Sequence, residues 1–202
     1  MEKKLKILAA SDIHGDSTQF AFLADKAEKY NVDLVVLCGD LTSHSGSTNL
    51  IKPFKDKGKR VLLVTGNHDG LAMGDFLAEV YDVKNLHSTF AKYNHVGFFG
   101  CGGANVGLDA LNDRDCFDVL KNGFYSIKDC EKKIMVTHVH PKGTIVDRIV
   151  PNIGSSGVRN AIEFLKPDLL LCGHVHEAEG AEDFIGKTKI FNVGRNGKII
   201  EI

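Results

Sequence analysis

Five short segments of the chain end in side chains that bind metals or move protons. They are Ser11-Asp12-Ile13-His14-Gly15, Gly39-Asp40, Gly66-Asn67-His68-Asp69, His138, and Gly173-His174-Val175-His176. Five of the nine histidines lie in them, a concentration that argues against chance. Each piece alone has a plain explanation: an Asp ahead of a helix caps it, Gly-Asp opens turns, and Gly and Asn accept positive φ. A lone His138 reads as a core histidine. His174 and His176 carry a moderate signal, because residues i and i+2 of a strand share a face. Together, Asp12, His14, Asp40, Asn67, His138, His174 and His176 supply seven donors. That is too many for one tetrahedral zinc, which takes about four, and enough for two ions if one ligand bridges. Mixed imidazole and carboxylate donors favour Mn, Fe, Zn, Ni or Co over Ca and Mg, with Mn the expected choice in vitro. Two divalent ions bring roughly +4 and the two carboxylates about −2, and the surplus suits a bridging hydroxide and an anionic substrate. Two metals about 3.5–4 Å apart clamp the attacking and leaving oxygens of a displacement at phosphorus.

Such residues must be positioned by regular elements. Apolar runs precede the five segments: Leu5–Ala10, Leu34–Cys38, Val61–Thr65, Ile134–Thr137 and Leu169–Cys172. Each is nearly continuous, as in a strand buried on both faces. Phe20, Leu23, Ala24 and Ala27 recur with helical spacing between the first two runs, and Asn49–Phe54 starts a shorter helix before the third. The βαβαβ order predicts a parallel sheet, whose strand carboxyl ends share one edge where sites form. Beyond Asp82 the pattern changes. Ser88–Tyr93 and His95–Gly100 read as a hairpin, and so do Thr188–Val193 and Lys198–Ile202 around Gly194–Gly197. The expectation is a two-sheet α/β sandwich, residues 1–202 forming one domain.

Composition narrows the class. Lys and Arg number 25 against 26 Asp and Glu, a net charge of −1, without the basic excess of a general nucleic-acid or membrane-surface binder. No apolar run approaches the roughly 20 residues of a membrane span. Met1–Leu5 enters a strand-like run directly, so no signal peptide is expected. The five cysteines, Cys38, Cys101, Cys116, Cys130 and Cys172, form no CxxC pair. They read as reduced thiols of a cytoplasmic protein.

The ordered set Asp12-x-His14, Gly39-Asp40, Gly66-Asn67-His68-Asp69, His138 and Gly173-His174-Val175-His176 resembles the five-block signature of the calcineurin-like metallophosphoesterases. Gly173–Glu177, Ile185–Thr188 and Asn192–Gly194 are similar to small stand-alone prokaryotic members. The resemblance implies two mixed β-sheets packed as a sandwich and flanked by α-helices, a four-layer αββα architecture. It also implies a dimetal-dependent hydrolase of phosphomonoesters or phosphodiesters, acting through a metal-bridging hydroxide on a small phosphorylated substrate. Asp12, His14 and His176 would hold one ion, Asn67, His138 and His174 the other, with Asp40 between them. His68 would serve the leaving oxygen, oriented by Asp69. Of the two imidazoles in Thr137–Pro141, His138 matches the family's ligand, and His140 faces either the substrate or solvent, with solvent the expected side. The chain departs from the family in Asn192-Val193-Gly194, where Asn-Pro-Gly is frequent, and has no room for a cap domain. The other functional class, a non-catalytic interaction scaffold on the same fold, fits less well, since such members lose ligands that are kept here. The sequence leaves homo-oligomerisation open.

Other features carry less. Phe99–Asn105 has a glycine-rich look but lacks the strand–helix context of a dinucleotide fingerprint, and reads as a hairpin exit loop. Lys55–Lys59 and Lys132-Lys133 read as solvated faces, and His44, His87 and His95 receive no role. A helix is expected to start near Ser155 or Ser156. Its free N–H groups, with Arg148, are a candidate holder for a second anionic group of the substrate, although a plain capped helix start explains the serines better.

Overall fold

The computed structural model describes residues 4–43 and 49–202, so His44 lies outside the described residues. The first elements are β1 (Lys6–Ala10), α1 (Ser17–Lys29), β2 (Leu34–Cys38), α2 (Lys52–Asp56), β3 (Arg60–Val64), α3 (Leu71–Tyr81) and β4 (Lys84–Asn85). They continue with β5 (Phe90–Tyr93), β6 (Val96–Cys101), α4 (Asp113–Tyr125), β7 (Lys132–Thr137), α5 (Ile145–Ile149) and α6 (Ser156–Leu165). The chain closes with β8 (Leu169–Cys172), a 3₁₀ turn at His176–Ala178, β9 (Glu182–Ile185), β10 (Thr188–Asn192) and β11 (Lys198–Glu201).

Two mixed sheets result. One has the order β11-β1-β2-β3-β4, the other β5-β6-β7-β8-β10-β9. In the first, β1 to β4 run parallel, with Ile7 opposite Leu34 and Val35 opposite Val61, and β11 closes the edge antiparallel. In the second, β6, β7, β8 and β10 are parallel between the antiparallel edges β5 and β9.

The period-2 alternation of the apolar runs builds the layers. Ile7, Ala9, Val36, Cys38, Leu62 and Val64 face Phe98, Ile134, Val136, Leu171 and Phe191 between the sheets. Their neighbours Leu8, Ala10, Val35, Leu37 and Leu63 pack outward on Phe20, Leu23, Ala24 and Ala27 of α1 and on Phe54 of α2. On the opposite outer face, Phe99, Met135 and Leu170 lie under Cys116 and Leu120 of α4 and Val158, Ala161 and Ile162 of α6. The layers are therefore α, β, β, α. The near-continuous runs are strands covered on both faces, as expected, and the β5–β6 hairpin forms as expected.

The C-terminal hairpin does not form. β10 is already hydrogen-bonded on both sides, by β8 and β9, so it has no edge to offer. β11 instead crosses to the other sheet and takes the open edge of β1, with Ile7 opposite Ile200. The hairpin partner of β10 is β9, which joins it through Gly186-Lys187. Among the described residues no helix is long and apolar enough to cross a membrane.

Candidate metal centre

The strands that carry the five segments are divided between the sheets: β1, β2 and β3 in one, β7 and β8 in the other. Ladder pairing continues past the ends of β1 and β2, where Asp12, His14 and Gly15 donate their N–H groups to the carbonyls of Gly39, Asp40 and Leu41 at 3.0, 2.9 and 2.9 Å. This ties the first two segments side by side. Asp12, His14, Asp40 and His174 all adopt positive φ, at 59°, 50°, 52° and 75°. A left-handed conformation costs a residue with a β-carbon about 1 kcal/mol or more, and such strain gathers at functional sites.

The left-handed backbone at His174 has a direct result. In a regular strand His174 and His176 would point the same way, whereas here they diverge. His174 Nδ1 lies 3.3 Å from His138 Nε2, and His176 Nε2 lies 3.3 Å from His14 Nε2 and 3.6 Å from Asp12 Oδ1. His138 Nε2 is also 2.9 Å from Asn67 Oδ1 and 3.4 Å from Asp40 Oδ2, and His14 Nε2 is 3.8 Å from the same Asp40 oxygen. All seven expected donors are thus brought together, with Asp40 reaching both halves. Ligand atoms of Asp12, His14 and His176 lie within 4.8 Å of one another, as do those of Asp12, Asp40 and His138. Two pairs of imidazole nitrogens face each other at 3.3 Å, and each such pair needs a proton or a cation between its lone pairs. The donor set therefore fits a metal centre.

The surrounding backbone holds these groups closely. Asp12 accepts the His174 N–H at 3.1 Å, and Asp40 accepts the His68 N–H at 3.0 Å. His138 Nδ1 donates to the Cys38 carbonyl at 2.9 Å, which leaves Nε2 aimed into the cluster. Two motif glycines are required by close approach. A β-carbon on Gly66 would overlap the Asp40 carboxylate, and one on Gly173 would overlap Ser11 Oγ and crowd Asp12 Oδ2.

Charge is distributed unevenly. Burial alone would lower the pKa of His138, but the carboxylates of Asp40 and Asp12 outweigh it and raise the ring to about 9. Burial would likewise raise the pKa of Asp40, yet the hydrogen bond and charge of His138, with the His68 N–H, hold its carboxyl well below the usual range. His174 goes the other way: burial, then its neighbours His138 and His140, push it down to about 3. Burial also lowers His14. Without metal, one proton sits on His138 against Asp40, while His14 and His174 stay neutral lone-pair donors.

One expectation, that of His140 in solvent, needs revision, and three neighbouring features take their place in the fold. Asp69 ties two loops together. Its carboxylate accepts the N–H groups of Leu41, Thr42 and Gly66 and the Thr42 hydroxyl, at 2.8 to 3.1 Å, clamping the loop after Asp40 onto the loop after β3. His140 is not in solvent. It is fully buried, neither ring nitrogen has a hydrogen-bond partner among the described residues, and Nε2 stands 3.7 Å from Asp147 Oδ1. Its burial follows from the pairing of residues 140–142 with Ser155, through Ser155 N–H to the His140 carbonyl at 2.9 Å and Lys142 N–H to the Ser155 carbonyl at 3.0 Å. The start of α6 is a plain capped helix start, as expected. Ser155 caps it by accepting the Val158 N–H, and the Gly157 N–H is taken by Asp113 Oδ1 at 2.7 Å. The glycine-rich stretch is the exit from the β5–β6 hairpin, as expected, and it also buttresses the third segment. Gly103 donates to the Thr65 carbonyl and Leu108 to the Asn67 carbonyl, both at 2.9 Å, and Asp109 Oδ2 accepts the Leu71 N–H at 2.7 Å. The signal for that role is spatial, and no local pattern announces it.

His68 lies at the open rim, with its side chain half exposed and Nε2 3.9 Å from Asp40 Oδ2. His14 and His176 are also partly open to solvent, so the cluster can be approached from outside.

A family model described as calcineurin-like phosphoesterase matches residues 5–178. No curated protein sequence matches the chain. Among solved structures, TT1561 of Thermus thermophilus shares 20% identity at a TM-score of 0.76, over 98% of this chain and 99% of that one. A dimetal phosphatase from Danio rerio shares 9% identity at a TM-score of 0.65, over 94% and 87% of the two chains. GAP50, the anchor in the inner membrane complex of Plasmodium, shares 13% at 0.61, over 96% and 72%. At such identities the likeness is one of fold, and the same fold serves both a phosphatase and an anchor. The decision between them falls to the side chains.

Proposed function

The chain belongs to the calcineurin-like phosphoesterase family, and from that premise we propose that it is a dimetal phosphoesterase hydrolysing small phosphomonoesters or phosphodiesters. The observation that carries this reading is the convergence of seven donors from the strand ends of both sheets, with the nitrogen pairs facing at 3.3 Å. Asp12, His14 and His176 would hold one ion, and Asn67, His138 and His174 the other. Asp40 lies between them. Bound there, two divalent ions supply Lewis-acid polarisation of phosphoryl oxygens and a lowered pKa for a water nucleophile.

The chain's own residues do the rest. His138, released from its proton, becomes a neutral donor, and its Nδ1–H anchor on Cys38 keeps Nε2 directed inward. Asp40 accepts the His68 N–H, and this bond places the His68 ring at the rim beside the half-exposed donors. From that place His68 can give a proton or a hydrogen bond to a leaving oxygen. Asp69 supports it indirectly, by fixing the loop on which both residues sit. The five cysteines are free and buried, which supports a reducing, cytoplasmic setting.

The test is turnover of bis(p-nitrophenyl) phosphate and p-nitrophenyl phosphate with added Mn²⁺, alongside metal content. His68→Ala should lose about 10²–10⁴-fold in kcat, the range of general acid–base catalysis, while keeping two metal equivalents. Loss of metal in step with activity would make His68 a ligand, and no turnover with any transition metal would return the fold to a scaffold role.

A further inference from the structure

Away from the metal donors, a groove of about 790 Å³ runs between α5, α6 and the β9–β10 hairpin. Its charge is unbalanced in a specific way. Arg148, Lys166 and Lys187 line it, and their side chains have no hydrogen-bond or ion-pair partner among the described residues. The acids in the same lining are committed. Glu163 holds Arg159 Nε at 2.9 Å, and Asp168 holds Lys132 Nζ at 3.1 Å. Asp183 accepts the N–H groups of Ile145 and Phe184, both at 2.7 Å. Three unpaired cations thus face a concave space in which Glu163 and Asp168 are ion-paired and Asp183, hydrogen-bonded to neutral N–H groups, is the one carboxylate without a cation among the described lining residues. The volume lies within the range of small-molecule sites, roughly 300–1,000 Å³.

The groove also offers a flat apolar surface. Phe184 is 60% exposed on the edge strand β9, where a large aromatic side chain gains nothing from solvent. Beside it Ile185, partly buried, packs against the helical core. The exposed Phe184 ring, with Lys189 Nζ 6.0 Å from its centroid, stands next to these cations, and a ring beside cations is the combination that takes a planar base and its phosphates together, by stacking and by charge-assisted hydrogen bonds.

We propose that this groove binds a nucleoside polyphosphate, with the phosphates on Arg148, Lys166 and Lys187 and the base on Phe184. The site is separate from the metal donors and independent of the reaction proposed above. α5 links the two, since it contributes Arg148 to the groove and packs its Val146 with Val175 and Ala178 of the segment carrying His176.

Isothermal titration of the full chain with adenosine 5′-(β,γ-imido)triphosphate, and with imidodiphosphate as the ringless probe, tests this. The nucleotide should bind in the micromolar range and more tightly than imidodiphosphate. Arg148→Glu and Lys187→Glu, both exposed substitutions, should each weaken the two probes roughly tenfold or more. Phe184→Ala should weaken the nucleotide by about tenfold and leave imidodiphosphate unchanged. His14→Ala should leave the binding of both intact. Thermal melts establish that each variant is folded. The proposal is overturned by no binding at millimolar nucleotide, by binding indifferent to both charge reversals, by equal affinity for the two probes, or by loss of binding in His14→Ala.

Discussion

His138 and Asp40 form a buried pair in which each fixes the other's charge. With the His138 ring raised to about 9, nearly every metal-free molecule carries that proton at pH 7.5. A ligating imidazole must be neutral, so ion binding has to expel it. Calorimetry of Mn²⁺ binding in buffers of different ionisation enthalpy should therefore count close to one proton released at pH 7.5. The number should fall through one half near pH 9, because the ring is already neutral above its pKa. Asp40→Asn removes the carboxylate that holds the proton and should bring the count near zero at pH 7.5. A wild-type count near zero would place the proton elsewhere. At this scale most of the site was legible in the sequence, because each donor directly follows an apolar run and the strand carries it to the sheet edge. His140 was not, since its burial comes from a bridge to Ser155 fifteen residues away. The divergence of His174 and His176 was hidden too, because His-x-His spacing contains no sign of a left-handed backbone.

Among the elements, α4 and α6 share one carboxylate. Asp113 begins α4, accepts the Ser155 hydroxyl at 2.9 Å, and takes the Gly157 N–H in the first turn of α6. Asp113→Ala should therefore leave the Gly157 N–H of α6 without its partner and unpin α6 from α4. The expected cost is about 1–2 kcal/mol, within the range of lost N-caps and helix-end charges. In a urea melt the midpoint should move with an unchanged slope. A shift below about 0.5 kcal/mol would mean that Ser155 alone holds the helix start. The start of α6 was readable from Ser155 and the spacing of Val158, Ala161, Ile162 and Leu165. Its partner was not, because Asp113 stands 42 residues earlier. The same limit explains the C-terminal strands. Thr188–Val193 and Lys198–Ile202 have a hairpin's pattern and turn glycines, but pairing is decided by which edges are free, and β9 had already filled the one beside β10.

Over the whole molecule, the two sheets meet through a continuous apolar layer, and the candidate donors close that layer at one end, three segments from one sheet and two from the other. The layering was legible because a strand covered on both faces has few polar residues to interrupt it. The allotment of strands to two sheets was not, since β6, β7, β8 and β10 are read from the sequence as strands without an address.

The meeting of His14 with His176 joins residues 162 apart. Closing so long a loop costs about 4–5 kcal/mol of chain entropy before any contact repays it. Such a contact belongs late on the folding path, after the sheets have docked. Ions that bind there should act on the way out and leave the way in unchanged: Mn²⁺ should slow unfolding in stopped-flow denaturant jumps and hardly alter the refolding limb. A refolding rate that rises with Mn²⁺ would show instead that the metal gathers these distant segments early, as a nucleus around which the sheets assemble.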